Sequence, residues 1–330
     1  MGGSRRVIIY SLLGVLAAGC SILCGPAPGQ EVPVLIEPRT PNSSSASSTN
    51  GMMPHLRVDS DLVLIPVLVT DPNNRLVTGL EKEHFKLYDN KVEQVITHFA
   101  QEDAPVSIGL VFDSSGSMGP KLQKARAAVA EFIRAANPED EFSLVAFSDH
   151  ARLLAQLGTP PAEIENQLLF IQSHGETALL DAIYLSMSEM KRARHARKAI
   201  LIISDGGDNA SRYTERELKN WLREADVQVY SIGIFEPLGM RGRTMEEANG
   251  PALLNQIAEQ TGGRLYEVYD LNELRDIATK IGSALRNQYV LGFTPGAERD
   301  GKYHRIQVKI PRIHGLPGLR TSFRSGYYAR

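Results

Sequence analysis

Cysteine is nearly missing from this 330-residue chain: the only two, Cys20 and Cys24, both lie in or at the end of the first apolar run. Everything after residue 24 must therefore fold without a disulfide, held by packing and by any metal it binds. A charge excess of one sign is missing too. The formal net charge of −2 offers neither the basic field that nucleic acid requires nor the acidic surplus of a disordered chain. Three catalytic signatures are also absent: the G-x-x-x-x-G-K-S/T phosphate loop, the H-E-x-x-H metalloprotease pair and the G-x-S-x-G nucleophile elbow. What is present is a 42% hydrophobic content on a chain longer than one usual compact domain, so two folding units with real cores are expected.

Residues 1–30 read as an export signal, with Arg5 and Arg6 preceding an apolar stretch from Val7 to Leu23 and a Gly/Pro/Ala-rich exit. An uncleaved membrane anchor is the rival reading, since about 17 apolar residues is near the lower limit for spanning a bilayer. Leu16-Ala17-Ala18-Gly19-Cys20 resembles a bacterial lipobox with Ala17 where Leu is usual, which would make Cys20 a lipidated N-terminus. Ser4-Arg5-Arg6-Val7-Ile8-Ile9 resembles a twin-arginine signal, with Tyr10 in place of the usual Lys. The expected location is outside the cytoplasm: periplasm, cell envelope or medium. Residues 31–54 contain the stretch PNSSSASSTNG, too polar and too small to bury anything, and are expected to form a flexible tether.

Between residues 104 and 287, apolar runs alternate with amphipathic segments. The runs are VSIGLVFD (106–113), EFSLVAFS (141–148), KAILIISD (198–205), DVQVYSIGIF (226–235) and GRLYEV (263–268). Near-continuous apolar runs suit a parallel sheet covered by helices on both faces. Leu122, Ala125, Val129, Phe132 and Ile133 form one helical stripe; Leu179, Ile183, Met187 and Met190 form a second; Leu218, Trp221, Leu222 and Ala225 form a third. The pattern predicts a doubly wound, mostly parallel α/β domain. Its flanks, residues 55–103 and 288–330, hold short β-rich runs at 61–71, 84–90, 94–100, 288–296, 304–311 and 320–328. Neither flank has enough strands to close a core alone, so the two are expected to pair into one β-sandwich with the α/β domain inserted in it.

In open α/β sheets the functional crevice lies beyond the carboxyl ends of the strands. Two of the apolar runs end there in an acid, Asp113 and Asp205. On neighbouring strands, ~4.8 Å apart, the two carboxylates would repel, and a cation resolves the conflict. From Asp113 the chain continues Ser114-Ser115-Gly116-Ser117-Met118, an Asp-x-Ser-x-Ser loop that can turn one carboxylate and two hydroxyls toward one point. All these donors are oxygen, which favours Mg²⁺, Mn²⁺ or Ca²⁺ over zinc, and few carboxylates leave room for water or a ligand on the ion.

These segments, with Gly175-Glu176-Thr177-Ala178-Leu179-Leu180-Asp181-Ala182 and Ser204-Asp205-Gly206-Gly207-Asp208, resemble the three loops of the metal-ion-dependent adhesion site of von Willebrand factor A domains. The resemblance covers roughly residues 104–287. It implies that Ser115 and Ser117 are direct hydroxyl ligands, that Thr177 is a ligand whose binding depends on conformational state, and that Asp113 and Asp205 hold the ion, often through water. The β-rich flanks and the ending Arg324-Ser325-Gly326-Tyr327-Tyr328 further resemble von Willebrand factor A related proteins abundant in Acidobacteria.

Each motif residue also has a structural reading. Ser115 or Ser117 could cap the following helix. Asp208 suits a turn or cap as well as a supporting role, and Asp181 suits the first turn of its helix. His174 reads as a solvated loop residue beside Thr177, and the run from Lys191 to Lys198 as a solvated basic turn. A triad of Ser115 with His150 or His174 has no support in spacing. The functional expectation is a protein-binding module, not an enzyme, in which a divalent cation, Mg²⁺ or else Mn²⁺ or Ca²⁺, coordinates an Asp or Glu carboxylate from a protein ligand. The alternatives are a metal-dependent hydrolase and a structural envelope protein with a stabilising metal site.

Overall fold

The computed structural model describes residues 62–101, 103–235, 245–296 and 300–329. The expected export signal and the expected tether therefore lie outside the described residues. The first flank supplies β1 (Val63–Thr70), β2 (Lys86–Asp89), β3 (Val92–Gln94) and β4 (His98–Gln101). The central region then runs β5 (Val106–Asp113), α1 (Leu122–Arg134), β6 (Glu141–Phe147), β7 (Ala151–Ala155), α2 (Pro161–Phe170) and α3 (Leu179–Glu189). It continues with β8 (Arg197–Ser204), α4 (Glu215–Glu224), β9 (Gln228–Ile234), α5 (Met245–Thr261), β10 (Leu265–Val268) and α6 (Leu274–Arg286). The second flank contributes β11 (Tyr289–Phe293), β12 (Tyr303–Lys309), β13 (Arg320–Phe323) and β14 (Gly326–Tyr328).

The central sheet has the order β10-β9-β8-β5-β6-β7 and is parallel except for β7, which runs antiparallel to β6 at one edge. All eight residues of β5 are buried, because helices cover both faces. Alternation along the strand sends Leu110 and Phe112 to one face, with Ala125, Val129 and Phe132 of α1 and Ile277 and Ile281 of α6. Val111 faces the other way, with Ile200 and Ile202 of β8, Leu179 and Ile183 of α3, and Leu218 and Leu222 of α4. Burying each such side chain contributes roughly 1.5–3 kcal/mol, which is how this domain holds together without disulfides.

The flanks form two four-stranded antiparallel sheets, β13-β1-β11-β4 and β14-β12-β2-β3. Each sheet takes strands from both flanks, and Ile65, Val67, Leu87, Tyr289, Leu291, Phe293 and Ile306 share the core. The expected fold class, an α/β domain set into a β-sandwich, is what the structure shows.

Two of the expected strands need correction. The run 94–100 is not one strand: β3 ends at Gln94, Ile96 turns into the core, and Thr97 donates its backbone N–H to Gly292 as the chain joins the other sheet. The run 320–328 likewise divides into β13 and β14, which belong to different sheets. The crossing is anchored on the α/β region, where Ser325 donates from both its backbone and its hydroxyl to the Gln260 carbonyl and Arg324 reaches Asp226 at 2.8 Å, and on β1, whose Leu64 carbonyl accepts from Arg324 at 2.9 Å. At Gly326 the backbone approaches His304 so closely that an added Cβ would lie 2.1 Å from its carbonyl oxygen. The sequence carries no mark of such a crossing, because the contacts that fix it come from residues far away in the chain. Among the described residues, no helix is long and apolar enough to cross a membrane.

Candidate metal centre

The parallel register sets Phe112 opposite Ile203, so Asp113 ends β5 beside Ser204, the last residue of β8, and Asp205 follows immediately. The Asp113 carboxylate is fully buried, and its neighbours hold it in place. Ser204 donates its hydroxyl to Oδ2 at 2.6 Å, and the Ser115 backbone N–H donates to Oδ1 at 2.8 Å. Burial, and after it the nearby Asp205 carboxylate, push the Asp113 pKa up to about 7, against the opposing pull of the Ser115 and Ser204 hydrogen bonds. The Asp205 carboxylate thus sits near enough to disfavour ionisation of Asp113.

The Asp-x-Ser-x-Ser loop closes over this carboxylate. Ser115 is buried and precedes a single 3₁₀ turn, Gly116–Met118, without its side chain capping that turn. Its hydroxyl instead lies 3.1 Å from that of half-buried Ser117. Capping therefore does not account for Ser115, and the two hydroxyls are grouped as a pair of neutral oxygen donors.

Backbone bonds draw the other loops in. His174 donates its N–H to the Ser114 carbonyl at 2.9 Å, and Gly116 donates to the Gly175 carbonyl at 3.0 Å. Thr177, buried in the same loop, donates its N–H to Asn209 Oδ1 at 2.8 Å, and Asn209 donates its own N–H back to the Thr177 carbonyl at 3.0 Å. In the third loop Gly206 adopts φ +88, and its N–H donates to the Ser204 hydroxyl at 2.9 Å. An added Cβ there would lie 2.8 Å from the backbone of Gly250 in α5, so both the conformation and the space call for glycine.

Several residues take purely structural places. Asp208 Oδ1 accepts from the Leu180 N–H and the Ser211 hydroxyl, so it caps the start of α3 from a distant loop. Burial raises its pKa despite those bonds. Asp181, in the first turn of α3, accepts from the backbone and guanidinium of Arg212 and from the Tyr213 N–H. His174 and His150 are exposed. In the basic run, Arg194 binds buried Glu141 at 2.7 Å and Arg197 donates to the Ala104 carbonyl, so these side chains hold the domain's lower edge together.

Three contributors have no assigned role on the sequence reading: Ser204, Asn209 and Lys121. Lys121 occupies the N-cap of α1, is 8% exposed, and places Nζ 3.1 Å from Asp205 Oδ2. A lysine at a helix N-terminus opposes the macrodipole, and that anomaly was the available signal.

The donors suit a hard divalent cation: two carboxylates at the ends of neighbouring strands, with a pair of hydroxyls on the loop that follows one of them. Among the described residues no three His, Cys, Asp or Glu side chains gather into a metal cluster, so a cation here would need the hydroxyls as ligands as well. Asp113, Ser115, Ser117, Thr177 and Asp205 are the residues that would hold the ion.

Residues 108–207 match the family model of the von Willebrand factor type A domain. The chain is 26% identical over 232 residues to heavy chain 4 of inter alpha-trypsin inhibitor from Mus musculus, covering 64% of this chain and 24% of that protein. It is 25% identical over 188 residues to an uncharacterized protein of Borreliella burgdorferi, covering 51% of this chain and 55% of the relative. The chain thus spans about a quarter and about half of the lengths of these two curated relatives. Among solved structures it is similar to a von Willebrand factor type A protein from Catenulispora acidiphila, at 15% identity and TM-score 0.48, covering 82% of this chain and 75% of that one. A further likeness is the vWF domain of the type V pili tip protein Mfa5 from Porphyromonas gingivalis, at 12% identity and TM-score 0.44, covering 56% of this chain and 97% of that one.

Proposed function

We propose that this chain, which carries a von Willebrand factor type A domain over residues 108–207, is a protein-binding module that works outside the cytoplasm and grips its partner through a divalent cation. The observation that carries the reading is the pairing of Asp113 with Asp205 at the ends of neighbouring strands, one carboxylate fully buried and the other almost so. The one buried ammonium beside the pair, Lys121, balances a single negative charge, so a further cation is favoured there. A cation held there by two carboxylates and the hydroxyls of Ser115, Ser117 and Thr177 remains short of anionic donors. A carboxylate from an Asp or Glu of a partner protein then completes its sphere better than water does. Mg²⁺ suits this donor set, with Mn²⁺ and Ca²⁺ as substitutes.

Binding is favoured over hydrolysis by what surrounds the site. Turnover needs a base that reaches substrate, whereas Asp113 is sealed from solvent and Asp181 and Asp208 are engaged in holding α3. The export reading of residues 1–30 supplies the location, with Cys20 as the lipid-attachment residue should the lipobox be used.

The test pairs calorimetric titration of Mg²⁺ and Mn²⁺ with retention of envelope proteins on the immobilised chain. Retention should vanish in EDTA, return with either ion, and be lost in Asp113→Ala that still unfolds cooperatively. Retention that persists in EDTA would overturn the proposal.

A further inference from the structure

Lys121 is placed against two electrostatic preferences at once. Its ammonium is nearly withdrawn from water, and it stands at the N-terminus of α1, where the helix dipole disfavours a cation. Only a strong local anion holds a lysine in such a place, and Asp205 Oδ2 at 3.1 Å is that anion. Asp205 is in turn one of the two acids at the strand ends, so the ammonium binds one member of a pair of carboxylates.

From this arrangement we infer that Lys121 sets the net charge of the metal centre, weakening its hold on the divalent cation and reserving the loaded site for anionic ligands. The inference rests on the metal-dependent reading above. Two ionised carboxylates alone would just neutralise a divalent ion, and the loaded centre would attract a neutral amide nearly as well as a carboxylate. With Lys121 in place the loaded centre keeps one positive charge, which an incoming carboxylate cancels and an amide does not. Metal and carboxylate ligand therefore help each other: each binds more tightly when the other is present, by the same factor. Lysine suits this role better than arginine, since a compact ammonium leaves the second oxygen of Asp205 free for the ion or its water.

The experiment measures Mn²⁺ affinity by electron paramagnetic resonance in the wild type, Lys121→Met and Lys121→Arg, alone and with saturating acetate or acetamide. Lys121→Met should bind Mn²⁺ at least ~10-fold more tightly, the effect of removing one like charge at close range. It should also lose the preference for acetate over acetamide, while Lys121→Arg keeps that preference. Thermal unfolding provides the folding control: Lys121→Met should be less stable than wild type in EDTA and match it in Mn²⁺. Equal or weaker Mn²⁺ affinity in Lys121→Met, with folding intact, overturns the inference and leaves the metal reading standing. Failure of the wild type itself to bind Mn²⁺ would instead overturn both.

Discussion

Ser204 Oγ donates to Asp113 Oδ2 at 2.6 Å and accepts from the Gly206 N–H at 2.9 Å, so one hydroxyl on β8 fixes both the β5 carboxylate and the turn that carries Asp205. Groups that orient metal-binding carboxylates from behind commonly tune affinity 10–100-fold. Ser204→Ala should therefore weaken Mg²⁺ binding by ~10-fold or more while the fold persists, as measured by calorimetry beside circular dichroism. Unchanged affinity would show that Asp113 needs no such support.

Metal removal should expose the cost of the paired acids. An aspartate whose folded pKa is raised, as that of Asp113 is to about 7, binds protons more readily when folded. Its folded environment costs nothing at low pH, and stability is lost as pH climbs from the ordinary carboxylate range through about 7. Melting temperature in EDTA should accordingly fall over that interval, and saturating Mg²⁺ should abolish the fall. Parallel pH curves with and without metal would count against ion binding at Asp113.

The sandwich holds a second titrating group. His304 is buried, with Nδ1 2.9 Å from Asp89 and Nε2 3.3 Å from Asp300, and Tyr327 donates its hydroxyl to the same Asp89. The hydrogen bond to Asp89 raises its pKa, and burial only partly opposes the rise. Its contribution is therefore present in full below the ordinary histidine value of about 6.5 and is lost as pH rises through the raised folded value. With Mg²⁺ saturating, Asp300→Asn should reduce the loss of melting temperature across that window. An unaltered pH profile would remove Asp300 from the account.

Gly326 tests the strand crossing. A methyl group there must displace the His304 carbonyl or the Tyr303 ring, from which it would lie 2.1 and 2.6 Å away. Gly326→Ala should cost ~2–3 kcal/mol, as overpacking of a rigid contact does, read as a lower urea midpoint. A midpoint within error of wild type would mean that β12 and β14 yield easily.

What the sequence determined by itself was whatever depends on local period and on the ends of elements. The eight-residue, mostly apolar run VSIGLVFD closing on Asp113 marked β5 to the residue, and the stripe Leu122, Ala125, Val129, Phe132 and Ile133 marked the buried face of α1. Such features are legible because side-chain direction follows from backbone period alone. The two strand-end acids were legible for the same reason. The tertiary structure alone decided what surrounds them. Ser204 could be recognised as the support of Asp113 only once β8 lay against β5 in register, and Lys121 as a counter-charge only once α1 carried it back over a loop 84 residues further along the chain. It also decided where β13 gives way to β14, because Arg324 and Ser325 are held by Asp226 and Gln260, which lie far from them in the chain. Contacts between distant segments leave no period in the chain. They arise from close packing and from the need of buried polar groups for partners, and those demands act only after the elements have met.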